Sequence, residues 1–164
     1  MNQIKCLVLS DSHGRTEALR TAIKRRPDVD AVFFLGDGLN DLESVRNDIS
    51  PTTSLFAVKG NCDFGVYMDR PTYKVDSITL GDKKIIFTHG DLYGVKYGMD
   101  GLIRLAEQTF ADVILFGHTH EHHEEYINGV YYFNPGSVKG GFGYATAGIL
   151  TITDSGVLFS KMDL

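Results

Sequence analysis

Seven side chains that could bind metal ions follow short apolar runs along this chain of 164 residues. They are Asp11, His13, Asp37, Asn61, His89, His118 and His120. Carboxylate, amide and imidazole donors without a thiolate suit Mn²⁺, Fe²⁺, Co²⁺, Ni²⁺ or Zn²⁺ better than Ca²⁺. The repetition of such donors predicts a site for two divalent metal ions, and Mn²⁺ is our first expectation for the metal.

The apolar runs before these side chains have the composition of buried parallel strands. They are Ile4–Leu9, Ala31–Leu35, Leu55–Val58, Ile85–Phe87 and Val113–Phe116. Ligands of open α/β sheets collect outside the carboxyl ends of the strands, so side chains far apart in the sequence can converge there. One aspartate after a strand is more often a turn residue or a helix cap, so the prediction depends on all five strand ends together.

The segments between these runs predict helices and further strands. Helices are expected at about Arg15–Lys24, Asn40–Asp48 and Asp100–Phe110. Strands are expected at Tyr73–Leu80, Lys84–Thr88, Glu124–Ile127, Val130–Phe133, Ala145–Thr153 and Val157–Lys161. The expected fold class is α/β, with two packed, mixed β-sheets flanked by helices in one domain over residues 1–164. The first half of the chain is expected to be mainly parallel and the second mainly antiparallel.

The composition narrows the range of partners and compartments. A hydrophobic fraction of 43% with 23% charged residues is ordinary for a globular domain. The net charge of −5 makes extended nucleic acid and anionic membranes unexpected partners. We expect a cytoplasmic protein, because neither a signal sequence nor an apolar run near the roughly 18 residues of a membrane span is found. Aromatic residues in the loops leave a homo-oligomer open.

Five short motifs resemble the motif set of the calcineurin-like metallophosphoesterases, and they occur in the same order. They are Asp11-Ser12-His13, Gly36-Asp37, Gly60-Asn61, His89-Gly90 and Gly117-His118-Thr119-His120. The resemblance implies the four-layer sandwich fold of that family. The sequence Gly60-Asn61-Cys62-Asp63 is similar to the small phosphodiesterase branch, which also contains the retromer scaffold subunit. The Asn134–Ser137 segment also recurs in the family near the metal centre.

The resemblance implies a role for each of the seven side chains. One ion would be held by Asp11, His13, Asp37 and His120, and the other by Asp37, Asn61, His89 and His118. Asp37 would bridge the ions, and Asp37, Asn61 and His89 would be the catalytic residues. A hydroxide between the ions would attack a small phosphodiester. A phosphomonoesterase or nucleotidase with the same centre, and a non-catalytic scaffold of the same fold, remain as alternatives.

Residues near the motifs lead to further expectations. Cys62 stands where many family members have a histidine that protonates the leaving oxygen, so we expect a preference for acidic leaving groups. Tyr67, Tyr93 and Tyr97 could stack on a substrate ring or simply pack. His122 and His123 are expected on a solvated rim, with neighbouring side chains on opposite faces of a strand.

Overall fold

The computed structural model describes residues 3–65, 67, 71–140 and 143–164. Ten strands are found in this part of the chain. They are β1 (Ile4–Leu9), β2 (Ala31–Phe34), β3 (Ser54–Ala57), β4 (Val75–Leu80), β5 (Lys83–Thr88), β6 (Val113–Leu115), β7 (His122–Ile127), β8 (Val130–Pro135), β9 (Thr146–Thr153) and β10 (Gly156–Asp163). All the predicted strands are present, and their ends differ from the predicted ends by no more than two residues.

The strands form two five-stranded sheets with the orders β10-β9-β1-β2-β3 and β4-β5-β6-β8-β7. In the first sheet β1, β2 and β3 are parallel, and β9 and β10 are antiparallel neighbours. In the second sheet β5, β6 and β8 are parallel, and β4 and β7 form antiparallel edges. The predicted fold class, two mixed sheets flanked by helices, is therefore confirmed.

The predicted division of the chain into a parallel and an antiparallel half is only partly right. Strand β9 returns to pair with β1. Without β9, one edge of β1 would have no hydrogen-bonded neighbour in the middle of the molecule. Strand β8 lies parallel to β6, because the hairpin partner β7 is placed outside it at the sheet edge. Parallel and antiparallel pairs thus occur in both sheets.

Three helices cover the outer faces of the sheets, and they are α1 (Thr16–Lys24), α2 (Leu39–Val45) and α3 (Asp100–Thr109). The predicted helix Asn40–Asp48 ends in a single 3-10 turn at Arg46–Asp48. Part of the segment Phe64–Arg70, expected to be irregular, lies outside the described residues. Among the helices of the described ranges, none is long and apolar enough to cross a membrane.

The buried side chains divide into three clusters that account for the layers. Along β1, Leu7 and Leu9 pack with α1 and α2 on one face, while Cys6 and Val8 face the second sheet. A third cluster joins α3 to the outer face of the second sheet. Because both faces of β1 are covered, its sequence is continuously apolar instead of alternating.

Candidate metal centre

The backbone is left-handed at five of the seven predicted ligands. The positive φ angles are 58° at Asp11, 43° at His13, 60° at Asp37, 72° at His118 and 62° at His120. Among the described non-glycine residues, only Phe110, at the end of α3, and Asn128, in a hairpin turn, share this conformation. Left-handed backbone is uncommon outside glycine and concentrates at functional sites. The predicted ligands are therefore the part of the fold where backbone strain is concentrated.

Asp11, at the carboxyl end of β1, is fully buried, and its two carboxylate oxygens have different surroundings. Oδ2 accepts hydrogen bonds from the Ser10 hydroxyl at 2.5 Å and from the backbone N–H of His118 at 3.0 Å. Two donors on one oxygen fix the orientation of the carboxylate. The other oxygen, Oδ1, is thereby directed towards the histidines.

Oδ1 of Asp11 is buried and has no hydrogen-bond partner among the described residues. Three imidazole Nε2 atoms surround it, at 3.2 Å from His120, 3.4 Å from His13 and 3.8 Å from His89. A buried polar oxygen without a partner is costly, and a metal ion is one group that can satisfy it. The surroundings of this oxygen therefore fit a metal ion.

Asp37 has the same asymmetry between its oxygens. Its Oδ1 accepts the backbone N–H of Cys62 at 2.7 Å, and its Oδ2 lies 3.2 Å from His89 Nε2 and 3.6 Å from His13 Nε2. The Nδ1 of His89 lies 2.7 Å from the carbonyl oxygen of Leu35, which can only accept, so Nδ1 carries the proton. Such a bond leaves Nε2 as the available ligand atom, as in most metal-binding histidines.

Potential ligand atoms form three groups within 4.8 Å. The first contains Asp11, His13 and His120, the second Asp37, His89 and His118, and the third His13, Asp37 and Cys62. The first two groups correspond to the two predicted ligand sets, and the contact of His13 with Asp37 joins them. Six of the seven predicted ligands are thus brought together.

Asn61 differs from the other six. It is exposed, and its amide Nδ2 donates to Cys62 Sγ at 3.5 Å. Within the described ranges this is the only hydrogen bond of its side chain. Asn61 is nevertheless on the turn that contacts Asp37 through Cys62. The Cys62 sulfur, a possible ligand atom, was not among the predicted ligands, because no pattern in the sequence distinguishes it from a loop cysteine.

The pKa values of the acids and histidines in the site are shifted by their contacts with one another. Burial acts to raise the pKa of Asp11, but the adjacent His120 and His13 rings outweigh it and hold that pKa far below its usual range. Burial also acts to raise the pKa of Asp37, and His89 brings it below the ordinary value. Contact with Asp11 raises the pKa of His13, and contact with Asp37 raises that of His89 in spite of burial. Both acids are therefore anionic at neutral pH, with imidazoles as their nearest source of positive charge.

Asp63 holds the loop that carries Asp37, and the sequence reasoning did not give it a role. Its buried carboxylate accepts four backbone N–H groups, from Asp37 and Gly60 at 2.8 Å and from Gly38 and Leu39 at 3.0 Å. The same carboxylate therefore caps the start of α2 and joins it to the Gly60 turn. Gly60 is required there, since a Cβ at this position would lie 2.1 Å from Asp37 Oδ1. An acid in a motif turn is the only sequence signal for this role.

Asp41 and Asn134 support the other ligand loops. Asp41 accepts hydrogen bonds from the Ser12 hydroxyl at 2.6 Å and from the backbone N–H of Gly14 at 2.9 Å, on both sides of His13. The fully buried Asn134 donates through Nδ2 to the carbonyl oxygen of Gly117 at 3.1 Å. Both residues shape the loops without placing an atom in the three groups of ligand atoms.

The remaining predicted residues lie around the centre. Tyr67 is buried and its hydroxyl donates to a backbone carbonyl at 2.5 Å, so packing is its role. Tyr93 packs partly against the cluster beneath α3, whereas Tyr97 is 96% exposed. The rings of His122 and His123 each contact the glutamate two residues further on at 2.7 Å.

Residues 4–155 match the model of the calcineurin-like phosphoesterase superfamily domain. The chain therefore belongs to this superfamily, as its motifs predicted, and it is a member of the metallophosphoesterases.

Individual relatives agree with this assignment. The chain is 39% identical over 135 residues to the probable metallophosphoesterase YsnB of Bacillus subtilis, covering 81% of this chain and 74% of YsnB. It is 27% identical over 159 residues to the phosphodiesterase YfcE of Escherichia coli, covering 84% and 83%. A Vps29 variant from Entamoeba histolytica has the same fold, with a TM-score of 0.75, 20% identity and coverage of 98% and 99%. These relatives fit the small phosphodiesterase branch that includes Vps29.

Proposed function

We propose that this chain is a metal-dependent phosphodiesterase that acts on small phosphodiesters at a dinuclear centre, with Mn²⁺ as the first metal to test. The observation that carries the proposal is the buried Oδ1 of Asp11, which faces three imidazole nitrogens and has no hydrogen-bond partner among the described residues. The second acid, Asp37, has an oxygen in an equivalent position beside two of the same rings. The relative YfcE, named a phosphodiesterase, supports the choice of reaction.

The proposed ligand sets follow the two groups of ligand atoms. Asp11, His13 and His120 would hold one ion, and His89 and His118 the other, with Asp37 shared between them. Asn61 would join the second set after its amide turns away from Cys62. When bound, two divalent ions supply positive charge for the phosphate and acidify a water molecule towards a pKa of about 7.

The protein would assist the hydrolysis by holding its charged and polar side chains in fixed positions around the phosphate. Oxygen from water would bond to phosphorus as the ester P–O bond breaks, the electron pair of that bond would leave on the alcohol oxygen, and the proton lost by the water would end on the same alcohol oxygen. Asp37 is held in one orientation by the N–H of Cys62, and His89 by the carbonyl of Leu35, so neither has to reorganise during the reaction. As catalytic residues, Asp37, Asn61 and His89 would set the position of the reacting phosphate.

Because Cys62 stands in place of a proton-donating histidine, we propose that the enzyme requires an acidic leaving alcohol. Partial removal of the exposed Cys62 thiol from water and the nearby Asp37 raise its pKa, which makes it a weak proton donor to a departing alkoxide. A positioned acid typically contributes about 10²–10⁴-fold. Aryl phosphodiesters should therefore react much faster than alkyl phosphodiesters of similar size. Rates measured over leaving alcohols of graded pKa test this expectation, and equal rates along the series would contradict it.

The test of the function uses chelator-treated protein with Mn²⁺, Zn²⁺, Co²⁺ or Ni²⁺ added back. Bis(p-nitrophenyl) phosphate and p-nitrophenyl phosphate, a diester and a monoester with the same leaving group, are compared as substrates. Metal-dependent turnover with preference for the diester supports the proposal. A preference for the monoester would favour the phosphomonoesterase or nucleotidase alternative.

A matched pair of variants tests the centre itself. Asp37→Asn removes the proposed shared carboxylate, whereas Asp82→Asn makes the same change in an exposed hairpin turn. We expect Asp37→Asn to lower turnover by more than the roughly 10–100-fold typical of groups that only orient a ligand. The control should keep its activity. If Asp37→Asn kept full activity, the proposal that Asp37 bridges the two ions would be wrong.

The scaffold alternative is favoured by the structural likeness to Vps29. Absence of turnover with every metal and both esters, in protein that binds metal, would support it. In the proposed function the chain acts as one domain over residues 1–164 in the cytoplasm. A homo-oligomer is compatible with it, and we expect neither extended nucleic acid nor a membrane as a partner.

A further inference from the structure

A cleft of about 570 Å³ opens beside one end of the candidate metal centre. His118 and His120 contribute to its lining, so the cleft is continuous with the proposed ligands. Lys96, Tyr144 and Lys161 line other parts of it. Because these three come from distant parts of the sequence, their position at one cleft is a product of the fold.

The two lysines give the cleft a positive charge, and neither lysine belongs to the groups of potential metal ligands. Lys96 is exposed, and in the described part of the chain it has no carboxylate within ion-pair distance. Lys161 is half exposed, and its nearest carboxylate, on Asp163, lies 3.8 Å away. Glu121 is the acid that lines the same cleft.

Tyr144 adds an aromatic surface to the cleft. Its side chain is 90% exposed, so it contributes almost nothing to the core. An exposed ring of this kind can stack on a planar group and has no packing role to lose. The cleft therefore offers two ammonium groups and one aromatic ring next to the proposed centre.

We infer that the substrate is a small phosphodiester that carries a second anionic group and an aromatic ring on one of its alcohol halves. The scissile phosphate would lie at the metal centre, the second anion between Lys96 and Lys161, and the ring against Tyr144. This inference rests on the proposed phosphodiesterase function. It adds the chemical class of the substrate, which the two ligand groups alone do not define.

Two chromogenic diesters that differ by one phosphate test the inference. Thymidine 5′-(p-nitrophenyl phosphate) and its 3′-phosphorylated form release the same p-nitrophenolate from the same diester, but only the second carries an additional anion. We expect a kcat/KM about five- to tenfold higher for the 3′-phosphorylated form, since exposed ion pairs are individually weak. The ratio of the two kcat/KM values, phosphorylated over unphosphorylated diester, should approach one in the Lys96→Ala/Lys161→Ala double variant and at high salt. A ratio of one in the unmodified protein would overturn the inference.

The control and a binding measurement separate this inference from the proposed function. Lys24→Ala removes an exposed lysine from the end of α1 and should leave the ratio unchanged. Tyr144→Ala should raise KM for both nucleoside diesters and leave kcat nearly constant. If bis(p-nitrophenyl) phosphate is hydrolysed but neither nucleoside diester is, the inference fails while the proposed function stands. If no diester is hydrolysed, the proposed function fails and the inferred substrate class fails with it. Calorimetry with thymidine 3′,5′-bisphosphate and Mn²⁺ tests separately whether the two lysines bind the second anion, and equal affinity in the unmodified protein and the double-lysine variant would overturn that placement.

Discussion

Asp63 provides a quantitative test of how the centre is held together. Its carboxylate accepts four backbone N–H groups, including that of Asp37. In Asp63→Asn one carboxylate oxygen becomes an amide nitrogen, so two of the four N–H groups face a donor. A buried donor left without a partner costs about 1–3 kcal/mol. Because the loop can relax, we expect a loss of about 2–4 kcal/mol in the free energy of unfolding, out of the roughly 5–15 kcal/mol of a typical domain.

The assay is urea unfolding of metal-free protein, with Asp82→Asn as the control for the same chemical change at an exposed position. Metal affinity should also fall, by about 10–100-fold, because the loop that carries Asp37 is no longer fixed. A second variant, Asp63→Ala, leaves all four N–H groups unpaired and should be less stable than Asp63→Asn. If Asp63→Asn unfolds within about 0.5 kcal/mol of the unmodified protein, the range of an ordinary surface change, the role assigned to Asp63 is wrong.

Further predictions concern the same region. Gly60→Ala should weaken Mn²⁺ binding, measured by calorimetry, because its Cβ would lie 2.1 Å from Asp37 Oδ1. A thiol reagent should label the exposed Cys62 in folded protein and reach Cys6 only after unfolding, since Cys6 is buried and burial raises its pKa to about 12. Mn²⁺ affinity should fall as the pH is lowered from 8 to 6: the pKa of His89 is raised, so its proton competes with the metal at a higher pH than an ordinary histidine would require. Mn²⁺ at 100 times its Kd should add about 2.7 kcal/mol to the free energy of unfolding, or roughly 5–10 °C in Tm, and EDTA should remove this gain.

Much of the fold could be predicted from the sequence because its main strands are buried on both faces. Continuous apolar runs mark such strands, and Ile4–Leu9 agrees with β1 at both ends. The pairing of β9 with β1 was not predicted, since it joins residues about 140 positions apart and leaves no local pattern. Hairpin turns such as Asn128-Gly129 indicate only neighbouring strands.

In the site, too, residues marked by a local sequence pattern could be predicted, and those that act over long sequence separations could not. Six of the predicted ligands could be found because each lies within five positions of the end of a strand, and strand ends converge in this class of sheet. Asp63 and Asp41 were not given roles, because the backbone groups that they accept from lie 24 or more positions away, apart from that of Gly60. The orientation of Asn61 was also beyond the sequence, since it depends on the rotation of one exposed amide.

The energetics of the centre favour a site that binds metal ions over a scaffold that binds none. Asp11 and Asp37 are both buried, and the charge of Asp11 acts to raise the pKa of Asp37, so the two carboxylates oppose each other. Burial of each charge costs several kcal/mol, and left-handed backbone at a non-glycine residue costs of the order of 1 kcal/mol more. A scaffold that bound no metal would gain nothing from these costs, because neutral side chains could fill the same space. Cations bound between the carboxylates and the imidazoles would offset them directly.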